Sequence, residues 1–357
     1  MLVQTKNYGI MSFKVKDFCL KISLLLYFLQ FLQPGYAQFD FSGVDNFLKS
    51  NQKALGNSLV VMVYKDGKVV YKKEMGDFDA KTQAPIASCS KWLTAALVMT
   101  FVDEGKMSLD DRIDKYIPFF DKYLKGYITI RNCLSHTTGV EADKPGLMGF
   151  LSRKKYETLE EEVNNFASKR QIIANPGKDF AYSMVGLNTA GRAVEVASKK
   201  NFQKMMADRI LKPCGMRATN FDADEAPNPS GGAVSTATDY LNFLAMILNK
   251  GVFNGKRVLS EKAIEEMQRS QTKDLPIRYV PKVAEGYDYG LGEWIQEKDA
   301  SGNSTVVSSP GLFGTWPYVD KKNNYAAILF VKSLITVDKR DLYLDLKKNI
   351  DAALGVK

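Results

Sequence analysis

The chain has 357 residues, 45% of them hydrophobic and 25% charged, with Leu, Ile, Val and Phe recurring throughout; this excludes a disordered, collagenous or disulfide-scaffold protein and leaves room for one large, elaborated domain. The net charge of +9 is spread over 49 basic and 40 acidic residues without a run of five like charges, which excludes a nucleic-acid footprint. The single histidine, His136, and Cys19, Cys89, Cys133 and Cys214 show no C-x-x-C or H-x-x-x-H spacing, and no G-x-S-x-G stretch occurs. Neither a zinc centre nor an α/β-hydrolase elbow is indicated, and no cofactor is expected.

Lys14, Lys16 and Lys21 lead into Ile22 to Leu32, an apolar stretch broken by Pro34-Gly35 and followed by Tyr36-Ala37. Basic, apolar, then small residues is the order of a secretory signal peptide, so residues 1–37 are expected to be cleaved before Gln38 and the protein exported to the periplasm or secreted. About 11 apolar residues are too few for a membrane span of roughly 20, so no stable anchor is expected after cleavage. Without this segment 45 basic and 39 acidic residues remain, a net of +6, and three cysteines that cannot all pair. Asp40 to Leu55 then has apolar residues at helical spacing. Leu59 to Tyr64 and Val69 to Tyr71 flank Lys65-Asp66-Gly67-Lys68, a β-hairpin signal.

Ser88-Cys89-Ser90-Lys91 heads the apolar helix Trp92 to Glu104, which stops at Gly105. Three residues is about one helical turn, so the Ser88 hydroxyl and the Lys91 amine share a face and can exchange a proton. Such a pair activates a serine without histidine, and the orphan NH groups and positive end of the helix favour developing negative charge. Ser50-Lys53, Ser152-Lys155 and Ser270-Lys273 have the same spacing but do not open a long apolar helix. On these residues alone, Ser88 as a helix cap beside a solvated Lys91 remains open. Residues 88–280 are otherwise mainly helical, and Thr236-Ala237-Thr238-Asp239 has capping-box spacing before an apolar helix. Ser304–Ser308, Thr315–Val319 and Tyr325–Val331 read as strands, the last pair joined by a turn at Lys321-Lys322-Asn323-Asn324, and Leu342 to Leu354 closes the chain as a helix. The pattern predicts an α+β fold: an antiparallel sheet built from residues 38–87 and 281–357, flanked by terminal helices, with the helical region inserted.

Ile86-Ala87-Ser88-Cys89-Ser90-Lys91, Glu104-Gly105-Lys106-Met107-Ser108-Leu109-Asp110-Asp111 and Leu134-Ser135-His136-Thr137-Thr138-Gly139 occur in that order. They are followed by Pro176-Gly177 before Tyr182-Ser183, Gly231-Gly232-Ala233-Val234-Ser235-Thr236 and Tyr289-Gly290-Leu291-Gly292. The series resembles the class C β-lactamase and penicillin-binding-protein superfamily of serine hydrolases, over nearly all of residues 38–357. The resemblance implies a β-lactamase/transpeptidase-like fold with the site in the cleft between the sheet and the helical region. It also implies an acyl-enzyme on Ser88, with Lys91 and Tyr182 moving the proton and the NH groups of Ser88 and Leu312 as oxyanion hole.

Two departures stand out. The family's Tyr-x-Asn motif is Tyr182-Ser183-Met184 here, and a thioether cannot hold the lysine and a substrate amide as the asparagine does. The Lys-Thr-Gly or His-x-Gly motif is Ser309-Pro310-Gly311, where Gly311 lets backbone approach a ligand and Ser309 can hydrogen-bond a substrate but not pair with its carboxylate. Both point away from carboxylate-bearing β-lactams and toward an ester or small amide, hydrolysed in an esterase-like or peptidase-like manner, with a cell-wall peptide among the candidate partners. A non-catalytic cell-wall-peptide binder on the same fold and a true β-lactamase remain open. His136 is expected to tie a loop, and Trp294 and Trp316 to pack in the core.

Overall fold

Two apolar strands from opposite ends of the chain pair side by side in the sheet. The computed structural model describes residues 1, 39–144, 148–149, 153–223, 225–333 and 339–356. The predicted signal segment therefore lies, apart from Met1, outside the described residues. Residues 41–357 pack as one unit. Its helices are α1 (Ser42–Leu55), α2 (Ser90–Asp103), α3 (Ile130–Leu134), α4 (Leu159–Lys169), α5 (Val185–Ser198), α6 (Phe202–Met206), α7 (Ala237–Leu248), α8 (Glu261–Met267) and α9 (Arg340–Leu354). The main strands are β1 (Leu59–Lys65), β2 (Lys68–Met75), β3 (Asp288–Tyr289), β4 (Trp294–Lys298), β5 (Ser304–Ser308), β6 (Trp316–Asp320) and β7 (Tyr325–Val331).

These seven strands form one antiparallel sheet in the order β2-β1-β7-β6-β5-β4-β3. The hairpin and the three C-terminal strands agree with the sequence reading; β3 and β4 extend the sheet beyond it. β1 and β7 pair from Leu59 with Val331 to Lys65 with Tyr325. Every residue of β7 is buried, so both faces of the sheet are covered. Ala326, Ile328 and Phe330 join the main core, against α7 on that face. The alternate residue Tyr325 donates to Asp351 of α9 at 2.6 Å. α9 is locked down by Lys347, whose buried ammonium reaches Asp320 at 2.9 Å and Asp351 at 2.8 Å, and it packs on α1.

Among the described residues between β2 and β3, the regular structure is helical apart from short ladders, of which Ala84–Pro85 with Val234–Ser235 matters for the site. α2 is buried on every side from Ser90 to Phe101 and runs through the core. Thr236 accepts the NH of Asp239 at 3.1 Å and so caps α7, but the return arm of a capping box is absent: Asp239 instead accepts from Ala218 N at 2.8 Å and Thr219 at 2.9 Å. Cys89, Cys133 and Cys214 are free and buried. None of the described helices is long and apolar enough to cross a membrane.

Candidate active site

The sequence expectation put Ser88 at the head of the long helix. It stands one turn earlier, in a 3₁₀ turn over Ala87–Cys89 that runs into α2. Ala87 has φ 45°, a left-handed conformation costing a non-glycine residue about 1–2 kcal/mol. The surroundings hold it there. Ile86 N donates to Ala233 O at 3.0 Å, Ala233 N to Ser90 Oγ at 3.0 Å, and the Tyr240 hydroxyl to Cys89 O at 2.8 Å. The strained residue thus aims Ser88 into the cleft, a feature invisible in sequence because it depends on the 233–235 segment crossing behind the turn.

Lys91 follows on the first turn of α2 and is only 3% exposed. Its Nζ lies 3.3 Å from Ser88 Oγ, donates to Ser230 O at 2.7 Å and sits 4.7 Å from the centre of the Tyr182 ring. Burial lowers the Lys91 pKa to about 7, against the opposing pull of the Asp143 carboxylate, so near neutral pH a substantial share of the side chain is free amine. The Tyr182 hydroxyl shares a hydrogen bond with Ser88, and burial pushes this phenol well above its ordinary range. Among the four Ser-x-x-Lys stretches, Lys53 and Lys273 are exposed and Ser152 lies outside the described residues.

Tyr182 is delivered by the segment entering α5, backed by aromatic rings. His136 stacks behind it with ring centres 4.5 Å apart, and Trp294 packs on it at 5.2 Å. His136 accepts the Ser183 NH on Nδ1 at 3.3 Å, which leaves Nε2 as the protonated nitrogen donating to the Tyr289 hydroxyl at 3.1 Å. Burial holds the imidazole well below its usual pKa and therefore neutral. It ties the loop after α3 to the tyrosine segment, as expected, and touches neither Ser88 nor Lys91 by hydrogen bond. Met184 lines the cleft. Its backbone NH is taken by Asp143 Oδ2 at 2.7 Å, while Asp143 Oδ1 pairs with Arg170 at 2.5 Å. A carboxylate from a different loop therefore holds the backbone of Met184.

The third wall holds Ser309, which is 2% exposed; its hydroxyl donates to Ser88 O at 3.3 Å, bracing the nucleophile turn from the sheet side. Gly311 does make a close approach, but to protein, since a Cβ there would stand 2.4 Å from Ile86 O. Gly311 and Leu312 line the cleft opposite Ser88. Trp316 stacks on Tyr318 and Tyr343, and Trp294 packs among Phe180, Tyr182 and Tyr289 while also lining the cleft. Glu293 beside it is fully buried with no hydrogen-bond partner for either oxygen, and burial raises its pKa well above the usual carboxylate range.

Asn188 and Ser230 were not identified from sequence. Asn188 Oδ1 accepts Ser230 N at 3.0 Å, its Nδ2 donates to Glu162 at 3.1 Å, and Ser230 O in turn receives Lys91. The i to i+4 spacing from Met184 to Asn188 places both on one face of α5 and could have signalled this. Together these walls enclose a cleft of about 390 Å³, with Lys144, Lys282 and Lys339 also on its lining. Among the described residues no group of three or more His, Cys, Asp and Glu side chains is placed to hold a metal.

The family model described as Beta-lactamase matches residues 48–349. The chain is 23% identical over 278 residues to the D-alanyl-D-alanine-carboxypeptidase/endopeptidase AmpH of Escherichia coli K12, covering 70% of this chain and 71% of AmpH. The crystal structure of a candidate beta-lactamase from Bacteroides dorei DSM 17855 superimposes with a TM-score of 0.79 at 29% identity, covering 89% of this chain and 99% of that one. A family VIII carboxylesterase has the same fold at 17% identity, with a TM-score of 0.72 and 88% and 97% covered. With an antiparallel sheet assembled from both ends of the chain, an inserted helical region and a match across most of its length, this chain belongs to the beta-lactamase family, the β-lactamase and penicillin-binding-protein-like serine hydrolases.

Proposed function

We propose that this protein is an exported serine hydrolase, with residues 1–37 as its leader and 38–357 as its catalytic domain, cleaving an ester or small amide through an acyl-enzyme on Ser88. The observation that carries the reading is the buried Lys91 amine 3.3 Å from Ser88 Oγ, with the Tyr182 hydroxyl on the same serine. Free-amine Lys91 takes the Ser88 proton as Oγ attacks the carbonyl carbon. The phenol stays protonated through its own burial, so Tyr182 serves as the relay that passes a proton to the leaving oxygen or nitrogen. The NH groups of Ser88 and Leu312 face the developing oxyanion. Water then attacks the acyl-enzyme, Lys91 again accepts the proton, and Ser88 leaves as the alcohol. Met184 and Ser309 favour ester or small-amide hydrolysis over β-lactam turnover.

The test is labelling of the protein lacking residues 1–37 with a fluorophosphonate probe. One adduct per chain is expected, mapping to Ser88, absent in Ser88→Ala and slowed in Lys91→Ala. A folded wild-type protein that takes no label would overturn the hydrolase reading in favour of a peptide binder on this fold, and rapid nitrocefin turnover would favour a β-lactamase. Asp143 supplies a second check. Its charge favours the Lys91 ammonium, so Asp143→Asn, which can still accept the Met184 NH, is expected to move the acidic limb of the pH–kcat/KM profile to lower pH; an unmoved limb would show that Asp143 does not act on the base.

A further inference from the structure

Away from Ser88, the lining of the cleft changes character. Lys144 lies on the loop that carries Asp143, Lys282 opens the short 3₁₀ turn Lys282–Ala284, and Lys339 caps the start of α9. Three segments distant in sequence thus bring three cations to one opening. Among the described residues none of the three has an ion-pair partner, whereas surface lysines elsewhere commonly do: Lys115 with Asp111, Lys204 with Asp208, Lys250 with Glu261. The one carboxylate on the lining, Asp143, is occupied by Arg170 and the Met184 NH. Lys339 is half-buried, and that desolvation lowers its pKa, with no anion among the described residues offsetting it. The same cleft that holds Ser88 and these lysines also has apolar lining from Pro281, Val283, Trp294 and Leu312.

An apolar floor ending in unpaired positive charge complements a ligand with a hydrocarbon stem and an anionic tip. Resting on the acyl-enzyme reading above, we propose that the substrate is an ester or small amide carrying a carboxylate away from the scissile carbonyl, and that Lys282 and Lys339, with Lys144 at the opening, select it. The family's third-motif cation is replaced by Ser309, which is spent on Ser88 O; here the charge enters from the 282 turn and the start of α9 instead. The sequence reading, which followed the motif position alone, pointed away from carboxylates, and the tertiary arrangement reverses that inference for the distal end of the substrate.

Matched esters test this and show which side of the substrate bears the anion. Phenyl hydrogen succinate is compared with phenyl methyl succinate, and 4-(carboxymethyl)phenyl acetate with its methyl ester. For one of the two pairs, kcat/KM is expected to favour the carboxylate by about tenfold at low ionic strength, with the preference shrinking as salt is added. Lys282→Ala and Lys339→Ala should each reduce that ratio about two- to fivefold, and Lys→Arg at either position should restore most of it. Ratios at or below one for both pairs, or a preference indifferent to salt and to both alanine variants, overturn the proposal while leaving the hydrolase standing. If no ester is turned over, the same four compounds are titrated against Ser88→Ala by calorimetry. Tighter binding of a carboxylate than of its methyl ester, lost in the lysine variants, upholds the selective rim even as the hydrolase reading falls; equal binding overturns the rim.

Discussion

Lys91→Met is expected to keep its fold and lose its chemistry, with kcat/KM for an activated ester falling by about 10³-fold, within the usual reach of a removed general base. Methionine fills the same buried channel but can neither accept the Ser88 proton nor donate to Ser230 O. In the wild type, the fraction of free amine passes through one half at about pH 7 and levels roughly one unit above it, and the activity profile should follow it. The same substitution has an opposite effect on stability. The folded-state pKa is lowered from its ordinary 10.5 to about 7, so between those values the unfolded chain holds the proton more tightly than the fold. Wild-type stability therefore rises with pH across that window, and the cost of burying Lys91 is greatest at and below about 7. Lys91→Met should raise Tm at about pH 6.5 and raise it less at about pH 9.5, as read by thermal denaturation. A variant that is inactive because it is unfolded would lower Tm at both, which separates a chemical loss from a structural one.

Gly186→Ala is expected to be the most damaging small substitution near the site. Gly186 sits in the first turn of α5, two residues after Met184, and a Cβ there would stand 2.0 Å from Cys133 O and 2.8 Å from Cys133 C, both backbone atoms of α3. Backbone cannot swing aside as a flexible side chain does, so α5 must retreat from α3. The cost is about 3 kcal/mol, the upper part of the range for overpacking, although alanine is intrinsically the better helix former by about 1 kcal/mol. The shift would also be felt at Tyr182 and Met184 on the chain entering α5, so kcat/KM should fall in the protein that remains folded. Urea denaturation and ester turnover measure the two effects. An unchanged denaturation midpoint would show that the helices are not held at this distance.

The extent to which the site could be read in advance follows from the range of the interactions involved. Ser88 and Lys91 lie one turn apart, so their meeting is a local property of a helix start, and the largely apolar run from Trp92 onward set this Ser-x-x-Lys stretch apart from the other three. The hairpin and the C-terminal strands are short β-rich runs bounded by turn residues, again local signals. For Ser309, motif alignment identifies a position but not the direction of its hydroxyl, which is set by the Ser88 carbonyl across 221 residues of chain. Asn188, Ser230 and Asp143 escaped notice for the same reason: each acts on a partner brought to it from another loop.

The amino-acid order by itself therefore determined the sheet built from both termini, the helical insertion, and the serine and lysine to look for, because these rest on local patterning and on the spacing of a single turn; Tyr182 was pointed to by the resemblance to the family's Tyr-x-Asn motif. Tertiary structure alone decided that Lys91 is desolvated enough to be a base near neutral pH, that Ala87 is held in a left-handed turn, and that Lys144, Lys282 and Lys339 share one opening. Burial and long-range electrostatics are sums over neighbours from the whole chain, and no short window of sequence contains those neighbours.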